Sequence, residues 1–147
     1  YKHSVYEGGL RVPFAVTWPE HIEPGSICHE PIISLDILPT ICAAVDIDLP
    51  NDRVYDGQNM LPALQGTSHK PLHQNLFFDG DDGYWSVRSG SWKLISNKKG
   101  DLELYNLNDD IGETTDLSEQ HPEKTKELNI AYQTWRNEMA PRIKHSN

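Results

Sequence analysis

Lys2, His3, Glu7, Gly8, Gly9 and Arg11 crowd the start of the chain, directly ahead of an apolar run. A lysine at the end of a sheet, next to glycines that let backbone approach a ligand closely, is the chemistry of an anion site. The competing reading is a solvated terminus whose glycines form a turn, and composition alone leaves both open. A second stretch, "DGDDGYW" from Asp79, invites a calcium reading. A helix–loop–helix calcium site needs oxygen ligands at its first, third and fifth positions, glycine at the sixth and glutamate at the twelfth. Counted from Asp79, those last three places hold Gly83, Tyr84 and Gly90, so the pattern fails and a solvated loop tip is expected. The seven histidines are scattered, and most read as surface or loop residues. No Gly-x-Ser-x-Gly elbow, P-loop or Cys-x-x-Cys pair occurs, so motif chemistry by itself supplies neither a nucleophile nor a metal cage.

The elements that would position these residues differ along the chain. Val12–Trp18 is apolar at nearly every residue, the pattern of a strand covered on both faces as in a parallel sheet flanked by helices. Pro19 and Pro24 end it. In "PIISLDILPTICAAVDI", Asp36 or Ser34 can cap a helix and Pro39 is tolerated in its first turn. Leu38, Ile41, Cys42 and Val45 then fall on one helical face. Residues 46–75 scatter Pro, Gly, Asn and Asp between apolar anchors such as Val54, Met60 and Leu64, which reads as an ordered connection with one helical turn at Leu61–Leu64.

From Leu76 the pattern becomes an antiparallel sheet closed by a helix. Short strand-like runs are separated by Ser89-Gly90 and Lys99-Gly100, where tight hairpins need a positive φ. Trp92, Leu94 and Ser96 alternate with Lys93 and Ile95. Pro122 opens a helix with Leu128, Ala131, Trp135 and Met139 as its packing stripe, and Glu123 suits the helix dipole.

Bulk properties exclude some partners. A net charge of −9 over 147 residues opposes nucleic acid and anionic membrane surfaces. No apolar run approaches the ~20 residues of a membrane span. Two cysteines, Cys28 and Cys42, fix no compartment. Signal peptides and sequons are both missing, which leaves the parent protein's location unknown.

Taken together, the blocks resemble the sulfatase family. "KHSVYEGGLRVPFAVTWP" resembles its signature, a lysine ahead of Glu-Gly-Gly-x-Arg-x-Pro and Trp-Pro. "SLDILPTICAAVDIDLP" is similar to its Asp-x-x-Pro-Thr helix, and "YDGQNMLPALQG" to its Asp-Gly connection. "LFFDGDDGYWSVRSGSWKLI" resembles its Arg-x-Gly-x-Trp-Lys-Leu hairpin, and "LELYNLNDDIGETTDL" its Leu-Tyr-x-Leu-x-x-Asp-x-x-Glu turn. Five blocks in order cover almost the whole chain.

The resemblance implies an α/β, alkaline-phosphatase-like fold represented by its C-terminal portion. Residues 1–45 would close the catalytic domain with one strand and helix of the large sheet, and 46–75 would connect. Residues 76–147 would form a small α+β subdomain, a four-stranded antiparallel sheet with a packed C-terminal helix. It implies a parent that hydrolyses sulfate esters of a sulfated carbohydrate or an aryl sulfate, in a periplasmic, secreted or lysosomal setting. The family's formylglycine nucleophile and calcium would come from the missing N-terminal catalytic part, since neither Cys28 nor Cys42 sits in a Cys-x-Pro-x-Arg motif; the fragment alone would hold no metal and be inactive. Lys2 matches the family's sulfate-contacting lysine, with Glu7, Gly8, Gly9 and Arg11 building the turn that aims it. His3, beside it, is a further substrate-binding candidate. Two alternatives stand next to this reading. One is a related phosphoester or phosphonate hydrolase; the other is a carbohydrate-binding module presenting Tyr84, Trp85 and Trp92.

Overall fold

The computed structural model describes residues 4–139, apart from the Asp82 side chain. These fall into two compact units, 4–13 together with 75–139, and 14–74.

The first unit is built on a four-stranded antiparallel meander, β1 (Leu76–Asp79), β2 (Trp85–Ser89), β3 (Trp92–Ser96) and β4 (Leu102–Asn106), in spatial order β1-β2-β3-β4. Gly90 and Gly100 turn the two tighter hairpins with φ of 58° and 87°, the left-handed backbone that favours glycine. Register places Phe77, Val87, Leu94 and Leu104 in one row across the sheet. Onto that row packs α4 (Pro122–Glu138) through Leu128 and Tyr132. Trp85 stacks on Tyr132 with ring centroids 3.8 Å apart, and Phe77 on Trp135 at 4.9 Å. Each fully buried aliphatic side chain in this row contributes about 1.5–3 kcal/mol.

The helix therefore forms where Pro122 predicts, but its stripe is Leu128, Tyr132 and Trp135. Tyr132 is the buried residue the apolar pattern overlooks, because its hydroxyl is accommodated by Asp79, whose Oδ1 accepts its hydrogen bond.

The alternation read in β3 does not separate a dry face from a wet one. Lys93, Leu94 and Ile95 are all fully buried. The second face is covered by a separate apolar cluster of Val5, Ile95, Tyr105 and Leu107, with Tyr6 and Tyr84 against it. Residues 4–7 thus cover the sheet on the side opposite α4, followed by a single helical turn, α1 (Glu7–Leu10).

In the second unit a 3-10 turn, Ser34–Asp36, leads into α2 (Ile37–Ala44), and Pro39 lies in the first turn as expected. A one-turn helix, α3, spans Leu61–Leu64. Between them Gly57 passes so close to the Leu35 carbonyl that a Cβ would sit 2.0 Å from its oxygen, which explains glycine in the Asp56-Gly57 pair. The apolar face of α2 exists as read, but Leu38, Ile41 and Val45 are half exposed. The expected strand over Val12–Trp18 is not formed; residues 11–18 carry no ladder, and Val12 is 72% exposed. A strand is defined by its partners, Pro13 withholds a donor, and none of the described residues pairs with this segment.

Candidate functional site

Three of the sequence blocks meet in one buried ionic cluster. Glu7 comes from the Glu-Gly-Gly segment, Arg88 and Lys93 from the hairpin, and Glu113 from the turn after β4. The Lys93 ammonium donates to Glu7 Oε1 at 2.8 Å and lies 2.8 Å from Glu113 Oε1. The second contact is an ion pair by distance without hydrogen-bond geometry. Side-chain exposure is 0% for Lys93, 9% for Glu7 and 3% for Glu113, so these charges are shielded from water. Arg88 Nη1 approaches Glu7 Oε2 at 3.9 Å, which sets two cations against two carboxylates. A buried ammonium is tolerated only with such partners.

Glu113 has a second task. Its Oε2 accepts the backbone N–H of Glu7 at 2.6 Å, capping the first turn of α1. That turn closes through Gly9 and Leu10 N–H on the Tyr6 carbonyl and Arg11 N–H on the Glu7 carbonyl. The neighbours of Glu7 are held as well. Val5 is buried in the cluster under Ile95 and Tyr105, and the Tyr6 hydroxyl donates to Glu103 Oε2. Burial first, and then that hydrogen bond to Glu103, push the Tyr6 phenol far above its usual range, so it stays a donor.

Aiming Glu113 requires a left-handed backbone, φ 54°, at a non-glycine residue, a cost of order 1–3 kcal/mol. Asp110 offsets it. Its carboxylate accepts Thr114 and Thr115 N–H and the Thr114 hydroxyl, closing the turn around Glu113. The Thr115 N–H, acting against desolvation and with Thr114, holds the Asp110 carboxyl below the usual carboxylate range. Asp116 then fastens the turn to the sheet by accepting Leu104 N–H at 2.9 Å and Ser118 N–H at 2.8 Å. Burial pushes its pKa up, but these amides and the Ser118 hydroxyl outweigh it, and the net shift is downward.

A carboxyl whose folded pKa is depressed stabilises above its unfolded value, about 3.9, and loses that stabilisation as pH falls through the lower folded value. Stability of the first unit should therefore decline below about pH 4. In Asp116→Asn that acid dependence should be shallower, with lower stability at neutral pH. Urea titrations from pH 7 down to about pH 2 check this; equal slopes for both proteins would refute it.

The expected sulfate-contacting Lys2 and its neighbour His3 lie outside the described residues. What the structure brings together is the segment that follows them. Missed in the sequence were Lys93, which looks like an ordinary outward residue of an alternating strand, and Glu113. The signal was their place in two separate motif blocks.

The other residues read for chemistry resolve differently. Asp36, fully buried, accepts Ile33 N–H at 2.8 Å, Gln58 N–H at 2.8 Å and His73 Nε2 at 2.9 Å. It serves as a hub for the second unit, where a simple helix cap was expected. His73 is the exception to the surface reading of the histidines. His69 and His73 have His-x-x-x-His spacing but lie in irregular chain, one exposed and the other turned to Asp36. Among the described residues no three His, Cys, Asp or Glu side chains are grouped as a metal would need. Cys28 and Cys42 are both free. Trp85 and Trp92 pack inward, on Tyr132 and His121, and Tyr84 lies against the second core, so the proposed sugar-binding platform is absent. No described helix is long and apolar enough to cross a membrane.

Comparison with known proteins agrees with the motif blocks. The family described as N-sulphoglucosamine sulphohydrolase, C-terminal, matches residues 1–139. Mouse steryl-sulfatase is 40% identical over 98 residues, 64% of this chain and 16% of that enzyme. Human arylsulfatase A is 43% identical over 97 residues, 63% of this chain and 18% of its own length. A solved structure described under metabolism of multiple glycosaminoglycans by Bacteroides thetaiotaomicron superposes with a TM-score of 0.76 at 25% identity. It covers 92% of this chain and 31% of that one. The chain thus spans less than a fifth of those two curated relatives. On these matches and on the meeting of its motif residues, the chain belongs to the sulfatase family, whose C-terminal part it represents.

Proposed function

We propose that the protein carrying this chain hydrolyses sulfate esters, and that Lys2 is the cation this chain contributes to the reaction. The observation that carries the proposal is the ionic cluster. A segment five residues downstream of Lys2 is fixed by a fully buried lysine and two carboxylates, an arrangement whose cost is explained if the segment must be held in one place. In hydrolysis the sulfur–oxygen bond to the leaving group breaks, water supplies the new oxygen, and the departing oxygen takes a proton to leave as an alcohol or phenol. Negative charge grows on that oxygen as the bond breaks. An ammonium close to the sulfate neutralises it, and His3 is placed by sequence to reach substrate.

Calcium and the formylglycine nucleophile are assigned to the rest of the protein. Nothing asked of Lys2 or His3 runs through the metal. In the whole protein we assign residues 1–45 to the end of the catalytic domain, 46–75 to the connection and 76–147 to the small subdomain. Residues 4–13 nevertheless pack with the small sheet. The half-exposed Leu38, Ile41 and Val45 of α2 form an apolar face that the N-terminal catalytic part would cover. Sulfated saccharides are the substrate class we favour, with aryl sulfates as convenient probes.

The test is release of inorganic sulfate from 4-nitrophenyl sulfate and from sulfated sugars by the full-length protein, beside matched phosphate esters. Sulfate release with little phosphate release is expected, and none from residues 1–147 alone. Preference for the phosphate ester would replace the reading with that of a phosphoester hydrolase.

A further inference from the structure

We propose that Lys93 is a positioning residue for the hydrolytic site, holding the segment that carries Lys2 through Glu7. The inference rests on the sulfatase reading above and adds a role for a side chain far along the chain. Lys93 and Glu7 are 86 residues apart in sequence, and Glu7 and Glu113 are 106 apart. No local preference brings them together.

Apolar packing of Val5 under Ile95 and Tyr105 and the Tyr6 hydroxyl on Glu103 keep residues 4–6 on the sheet, but apolar packing has no direction and neither contact reaches Glu7. The ionic contacts are directional. Lys93 fixes the Glu7 carboxylate, Glu113 fixes the Glu7 amide, and the α1 turn begins at that residue. Both ends of one residue are thereby tied to one ammonium and its second carboxylate. Replacing such a cluster by apolar groups of similar volume is often neutral for stability. Its contribution here is therefore geometric, fixing the place and orientation of residues 4–7, the segment that follows Lys2 in sequence. Rate is sensitive to that geometry, since a misplacement of about 1 Å at a reacting centre costs about 100-fold.

The experiment is a double-mutant cycle in the full-length enzyme with 4-nitrophenyl sulfate, comparing Lys93→Met in the wild-type and Lys2→Ala backgrounds. If Lys93 acts through Lys2, Lys93→Met lowers kcat/KM by roughly tenfold or more where Lys2 is present and by less than about twofold where it is not. A merely structural role lowers both backgrounds by the same factor, which overturns the inference. Lys93→Met strands two buried carboxylates, so the cycle is repeated with Glu7→Gln/Lys93→Met/Glu113→Gln, which removes the three buried charges together and leaves the partly exposed Arg88. The same non-additive loss is expected there, with circular dichroism showing a folded protein; full turnover in this triple variant also overturns the inference. Undiminished activity in Lys2→Ala alone ends the Lys2 reading itself. An active, Lys2-dependent enzyme indifferent to Lys93 ends only this one.

Discussion

Lys2→Ala in the full-length enzyme is expected to lower kcat on sulfate esters by on the order of a hundredfold or more, the cost of losing a donor that stabilises developing charge. The effect arises at the leaving oxygen. Sulfate brings its own charge, and bond cleavage adds more at one point. A lysine offers a compact ammonium with rotatable donors that can follow a tetrahedral anion. Lys2→Arg should recover only part of the rate, because a planar guanidinium cannot occupy the same point. If Lys2 is instead a solvated terminal residue, both variants turn over like wild type. Kinetics at saturating substrate separate the two, since the effect is placed on the chemical step and not on binding alone. Near wild-type kcat in Lys2→Ala would end the assignment, whatever the chain's family.

The four-stranded sheet and α4 were legible because local signals and tertiary need agree there. Gly90 and Gly100 turn where the pattern puts turns, and Pro122 opens α4. The same sequence misled where the partner lies far along the chain or where none of the described residues supplies one. Val12–Trp18 has the composition of a buried strand, yet composition cannot supply a neighbouring ladder, and Val12, Phe14 and Val16 stay exposed. Lys93 read as the polar half of an alternation because nothing nearby shows that residues 4–7 roof that face of the sheet. Its carboxylate partners sit at positions 7 and 113, and only the order of motif blocks connected them. Asp36 stands at the N-cap of α2 as expected, but its side chain caps no α2 amide and turns back to Ile33 N–H; the reach to Gln58 and His73 depends on how residues 46–74 fold back.

That reach makes Asp36 the residue of the second unit with the largest expected effect on stability. Its two carboxylate oxygens serve three donors, the amides of Ile33 and Gln58 and the His73 ring, while its side chain is fully buried. Its carbonyl accepts the Thr40 hydroxyl, which in turn accepts Met60 N–H at 3.0 Å, so α2 and the start of α3 hang on the same point. Asp36→Ala removes every acceptor on the side chain and leaves the donors behind. At about 1–3 kcal/mol for each buried group left unsatisfied, a loss of about 3 kcal/mol or more is expected. Asp36→Asn retains one oxygen but faces the His73 ring or an amide with an NH2 group, and should cost about half as much. His73→Ala removes only one of three donors and leaves the carboxylate its two amides, so its effect should be the smallest of the series. A hub predicts losses falling in the order Asp36→Ala, Asp36→Asn, His73→Ala. A simple helix cap predicts only about 1 kcal/mol for Asp36→Ala and nothing for His73→Ala. Urea midpoints of the three variants, with hydrogen exchange at the Gln58 amide as the local readout, decide between them. An unchanged Gln58 exchange rate in Asp36→Ala would show that the hub does not hold that segment.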